Sequence, residues 1–128
     1  MSVSALFAGL LLAQAAAPAI TVEGEGAEGH GRIDVAYQEL SEGRTDEAIA
    51  KLDGTSAVND GDPSALINLG TAYARLGQSD KARDLYRTAI VSRVRYDLQL
   101  ADGSWLDSRR AARLAGQRLG TERLLVVR

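Results

Sequence analysis

The sequence predicts an all-α fold, a short row of antiparallel helical hairpins closed by a C-terminal helix. Three observations carry that expectation. Leu66, Leu69, Gly70 and Tyr73 recur at i, i+3, i+4 and i+7, the period of a helix with one packed face. The chain matches itself at an offset of 34 residues: Ile33 falls on Ile67, Gly43 on Gly77, Asp46 on Asp80 and Ala48 on Ala82. Aromatic residues make up only 5% of the 128 residues. The core is therefore left to Ala, Leu, Val and Ile, small side chains that let helices approach closely.

The first segment reads as an address rather than as structure. Met1 to Val22 carries no charged side chain, and Ala5 to Ala13 is apolar except for Gly9. Gln14-Ala15-Ala16-Ala17-Pro18-Ala19 then offers the small residues that signal peptidase requires, with cleavage after Ala17 or Ala19. Residues 1–19 are accordingly expected to be an export signal, and the mature protein periplasmic or secreted. Met1 to Ser4 departs from the pattern in lacking Lys or Arg. An uncleaved membrane anchor is the rival reading, but a span needs ~20 strongly apolar residues, and Gln14 and Pro18 interrupt this one.

Residues 20–31 read as a flexible, acidic, Gly-rich linker. Gly24, Gly26 and Gly29 satisfy the GxGxxG spacing of a dinucleotide fingerprint. Glu25 and Glu28 would, however, put negative charge where a pyrophosphate must sit. No second strand follows at βαβ spacing either. His30, the sole histidine, has no metal-ligating neighbours.

The helical part is expected over residues 32–128. Its first unit, about 29–62, has helices over Arg32–Glu42 and Thr45–Leu52; Asp53-Gly54 ends the second, and a loop runs from Ala57 to Gly61. The second unit, 63–96, opens with Asp62 as N-cap and Pro63 at the first helical position. Gly77 supplies the left-handed stop, Ser79 or Asp80 caps the next helix, and Ala82, Leu85, Tyr86, Ala89 and Ile90 form its stripe. Beyond it the 34-residue register ends. Val94, Tyr96, Leu98 and Leu100 alternate with polar residues, and Asp102-Gly103 signals a tight turn before Trp105, so a small β-hairpin is expected. Asp107 or Ser108 then caps a helix to about Leu119, stopped by Gly120, and Leu124 to Val127 serves as a last strand or covers an open helix face. In this capping segment, 97–128, Trp105 is expected to be the main hydrophobic anchor; an exposed ligand-binding aromatic is the sharper alternative.

The second unit resembles the tetratricopeptide repeat, a 34-residue pair of helices joined by a tight turn. Leu69-Gly70, Tyr73, Gly77, Ala82, Tyr86 and Ala89 occupy the signature positions, while Leu66 stands where the family often has Trp and Val94 where it often has Pro. The first unit is degenerate: Val35, Ala36, Gly43, Ala48 and Leu52 agree, but Glu39 replaces an aromatic and Thr55 an alanine. The resemblance implies a short α-solenoid whose first helices line a concave groove for a peptide or protein. By register that groove would present Ile33, Tyr37 and Leu40, then Ile67, Thr71, Ala74 and Arg75. It would be mostly apolar, without the basic carboxylate clamp of some members, and Arg75 would be its one charge.

Composition narrows the alternatives. Residues 1–82 hold 12 acidic and 5 basic residues, a balance of −7, whereas residues 83–128 hold 5 and 10, a balance of +5. Such polarity suits self-assembly of acidic on basic ends, the second reading of function. The arginines are spread out and lack interleaved aromatics, which argues against nucleic acid. With no Cys and one His, the chain has no thiolate zinc site, cysteine nucleophile or Ser/His/Asp set. The expectation is a non-enzyme with no catalytic residue, metal, cofactor or small-molecule substrate. Its carboxylates, including Glu39 and Glu42, are expected on solvated helix faces.

Overall fold

The computed structural model describes residues 33–128. The export signal, the linker, the glycine pattern at 24–29 and His30 lie outside the described residues. The elements are α1 Tyr37–Ser41, α2 Thr45–Leu52, α3 Ser56–Asn59, α4 Pro63–Arg75, α5 Ser79–Val91, β1 Asp97–Gln99, β2 Trp105–Asp107 and α6 Ser108–Gln117. The described part is thus mostly helical, with one two-stranded sheet.

Helix α4 is the centre, buried at every position from Pro63 to Tyr73. Asp62 caps it by accepting from Ala65 N at 2.9 Å, with Pro63 at the first turn, where its missing N–H costs nothing. At the other end Gly77, at φ 78°, closes a Schellman turn: Gly77 N–H donates to Ala74 O and Gln78 N–H to Tyr73 O. Gly43 ends α1 in the same way, its N–H donating to Leu40 O and that of Arg44 to Glu39 O. The Gly43/Gly77 identity at offset 34 is therefore one stop motif used twice.

The α4–α5 pair packs at its closest where Gly70 faces Tyr86. A Cβ built on Gly70 would lie 2.6 Å from the Tyr86 ring, so only glycine admits this approach. Ala82 and Ala89 extend the same interface, each fully buried.

Three expectations about the first unit need correction. Its first helix begins at Tyr37, not Arg32, because Ala36 adopts a left-handed conformation (φ 56°). Asp34 Oδ1 accepts from Ala36 N, and Asn68 Nδ2 of α4 claims the Val35 carbonyl, so the backbone there bonds outside a helix. The loop expected from Ala57 holds the short helix α3, capped by Thr55. Glu39 is buried rather than solvated. Lys51 Nζ bonds it at 2.6 Å and Asp34 at 2.7 Å, and the hydrogen bond from Lys51 holds both carboxyls below their usual range. The charge that replaces the family's aromatic at position 39 is thus answered by a lysine from α2.

After α5 the chain forms the antiparallel hairpin, with Leu98 opposite Leu106 and Gln99 opposite Trp105. Gly103, at φ 87°, makes the turn, and Asp102 Oδ1 accepts from Ser104 N at 2.9 Å. Tyr96 ties this segment to the start of α4, donating to Asp62 Oδ2 at 2.7 Å and touching the Ser64 hydroxyl. Asp107 caps α6 by accepting from Arg110 N, and the helix ends at Gln117, short of the expected Leu119. The last residues return as an extended segment beside β1: Leu100 bridges Val127, Ala101 N–H donates to Val126 O, and Arg128 N–H donates to Gln99 O.

Candidate interaction surface

The face of α4 expected to line an open groove is occupied by the chain itself. Ser64, Asn68, Thr71 and Arg75 recur at i, i+4, i+7 and i+11, one polar stripe on an otherwise apolar helix. Each spends its hydrogen bonds on another part of the chain. Asn68 Nδ2 donates to Val35 O at 2.7 Å and Val127 O at 2.8 Å, while its Oδ1 accepts from Val127 N at 2.8 Å. Thr71 Oγ1 donates to Leu125 O at 2.5 Å and lies 3.0 Å from the Tyr86 hydroxyl. Arg75 Nη1 donates to Leu40 O at 2.7 Å, closing the C-terminal end of α1.

The segment Leu124–Arg128 is therefore held from both sides, by the β1 backbone and by the side chains of α4. Asn68 serves it as an adjacent strand would, giving one donor and one acceptor to the same residue. A buried Asn is tolerated here because its partners satisfy it.

Of the seven residues expected in the groove, Leu40, Ile67 and Thr71 are buried. Ala74 is half-buried, and Arg75 is exposed with its guanidinium engaged on Leu40 O. Arg75 is thus a structural bridge within the chain, not an unpaired charge awaiting a partner. Ile33 and Tyr37 line an open space. They share a cleft of 830 Å³ with Asp34, Gln38, Gln99, Trp105 and Arg128.

Trp105 is the correction that matters most. It is 66% exposed, so it does not anchor the cap; Leu98, Leu100, Leu125 and Val127 do that, all buried. Its position in the hairpin explains why. Leu98 and Leu106 point to the core, so by strand alternation Gln99 and Trp105 point away from it. The Arg128 guanidinium lies 5.1 Å from the centre of the Tyr37 ring, a cation–π distance. Hydrogen bonding to Ser41, and then to Arg128, holds the Tyr37 phenol below its usual range. The cleft thus offers two aromatic rings, one guanidinium, two amides and the Asp34 carboxylate. Such a lining suits an extended chain or a planar group.

Among the described residues no three His, Cys, Asp or Glu side chains gather as a metal would require, and no helix is long and apolar enough to cross a membrane. Sequence reasoning missed Asn68, Gln99 and Arg128 as participants. The polar stripe on α4 was the signal for the first; nothing local marks the other two, which meet Trp105 only through strand pairing.

A family model described as tetratricopeptide repeat matches residues 39–93. That span belongs to the tetratricopeptide repeat family. It runs from within α1 to just past α5, so the match takes in the degenerate first unit as well as the clear second one. No curated protein and no solved structure matches the chain. The β-hairpin, α6 and the returning tail lie beyond the matched repeat, and they supply Gln99, Trp105 and Arg128 to the cleft.

Proposed function

We propose that this protein is an exported interaction module that holds a peptide or protein partner in the cleft between Trp105 and Tyr37. A tetratricopeptide repeat is a protein–protein interaction scaffold, which sets the class of activity. The exposure of Trp105 beside Tyr37 and Arg128 carries the choice of surface. A tryptophan left 66% open has given up most of the burial that would stabilise the fold, and large aromatics with arginine are what interface centres favour. The face that would otherwise be the groove is filled by Leu124–Arg128. Export rests on the uncharged start of the sequence and its small residues before Ile20.

Two measurements test this reading. Partner capture from the envelope fraction is compared between the wild type, Trp105→Ala and Tyr37→Ala, with terminal sequencing of the captured bait. Trp105→Ala is expected to fold normally and to lose the partner. Unchanged capture by Trp105→Ala would remove the cleft from consideration, and a mature chain that still begins at Met1 would remove cleavage. Self-assembly of acidic on basic ends is the second reading, favoured by the balance of −7 over residues 1–82 against +5 over residues 83–128; it requires an oligomer that salt dissolves.

A further inference from the structure

A second surface of the same module, resting on the interaction reading above, has the form of an unfilled helix seat. In α4 the residues Leu66, Leu69, Gly70 and Tyr73 recur at helical spacing and are all buried, and Gly70 lets Tyr86 of α5 in to 2.6 Å from where its Cβ would stand. Helix α6 and the turn after it repeat that spacing with Ala112, Ala115, Gly116 and Leu119. A Cβ placed on Gly116, however, would meet no atom within 4 Å. After α6 the described chain continues as turn and extended tail rather than as a second helix. Between α5 and α6 this leaves a groove of 380 Å³, with Ile90, Ala112 and Gly116 in its apolar lining and Arg83, Arg87 and Arg113 around it.

The charges indicate what fits. Among the described residues, Arg83 and Arg87 pair only with Asp80 and Asp84 of their own helix, at 2.9 and 3.9 Å. Exposed pairs of that kind contribute little and are readily exchanged. Arg113 has no carboxylate within ion-pair distance among the described residues. Three guanidinium groups around an apolar strip, with no acidic residue lining the groove, complement carboxylates on both flanks of an incoming helix. We infer that this groove accepts an acidic amphipathic helix from a partner protein, which places a bulky apolar side chain over Gly116 as Tyr86 is placed over Gly70. That is helix-in-groove recognition, with anchors at helical spacing and charges selecting the partner.

The probe is a labelled helix-forming peptide with glutamates four residues apart on both flanks and one central Phe, titrated against the protein by fluorescence anisotropy. A control peptide has the same composition with Phe moved to the acidic face. Gly116→Leu projects a bulky side chain into the seat from a Cβ that meets no neighbour, and it raises helix propensity, so α6 is retained; circular dichroism checks this. Expected are at least a tenfold loss of binding in Gly116→Leu and in Arg87→Glu/Arg113→Glu, weakening with salt, and no change in Trp105→Ala. The proposal is overturned if Gly116→Leu binds as well as wild type, or if the control peptide binds equally. It is also overturned if duplex DNA competes at equal concentration, or if the protein self-associates through a contact that Gly116→Leu abolishes, which makes the occupant a second copy. Failure here with loss of partner capture in Trp105→Ala leaves the cleft reading intact; the reverse pattern leaves this one.

Discussion

Replacing Asn68 by Ala tests the claim that α4 holds the C-terminal segment in place of a ligand. The substitution removes three hydrogen bonds at once, all within 2.8 Å, from a residue with no solvent exposure. The Val35 carbonyl and both backbone groups of Val127 lose their partners. A buried polar group left unsatisfied costs about 1–3 kcal/mol, so three cost about 3–5 kcal/mol once water entering the vacated space is allowed for. A domain of this size is stable by roughly 5–14 kcal/mol, so the loss is a large share of the total. The cheaper response is for Leu124–Arg128 to lift away, which relieves Val127 but exposes Leu125 and Val127 and opens the α4 face. Urea unfolding followed by circular dichroism gives the global loss, and amide exchange at Ala101, Val127 and Arg128 reports the tail. Expected are a fall of about 3–5 kcal/mol or a selective loss of protection at these amides. Stability within about 1 kcal/mol of wild type, with the tail amides still protected, would refute the reasoning.

Gly70→Ala and Gly116→Ala form a matched pair, since both glycines lie inside helices. The first places a Cβ 2.6 Å from a Tyr86 ring that is only 1% exposed. Overpacking of about 1–3 kcal/mol should there outweigh a helix-propensity gain of about 1 kcal/mol. The second meets nothing and should be neutral or stabilising by up to about 1 kcal/mol; thermal melts of both variants check the contrast. Alkaline stability should follow Tyr96, whose hydroxyl burial pushes up to about 12 from 10.0. The folded state favours the neutral phenol, so its contribution is complete below pH 10 and disappears as pH rises through about 12. Tyr96→Phe should flatten that part of the stability–pH curve; an unchanged slope would assign the alkaline loss elsewhere.

Local chemistry made the central hairpin legible. Asp62-Pro63, Gly77 and the stripe from Leu66 to Ile90 each specify a backbone state or a packed face within a few residues, and α4 and α5 follow from them. Helix α2 lies over the expected Thr45–Leu52, and the hairpin turn falls at Asp102-Gly103. The first helix is the counterexample. Ala36 and the residues before it have a helical pattern, yet α1 starts only at Tyr37, because a carbonyl claimed by Asn68 from 33 residues away outweighs weak local propensity.

The interaction surface divides along the same line. The sequence by itself determined that the chain carries a tetratricopeptide repeat, since capping, turn and close-packing requirements act over a few residues and leave a periodic trace. It also supplied Trp105 and the polar positions of α4, but not their roles. Only the tertiary structure decided that Leu124–Arg128 fills the α4 face, that Arg75 is engaged, that Trp105 turns outward and that Gly116 faces open space. Those outcomes depend on strand register and on long-range hydrogen bonds, where a shift of one residue exchanges buried and exposed side chains.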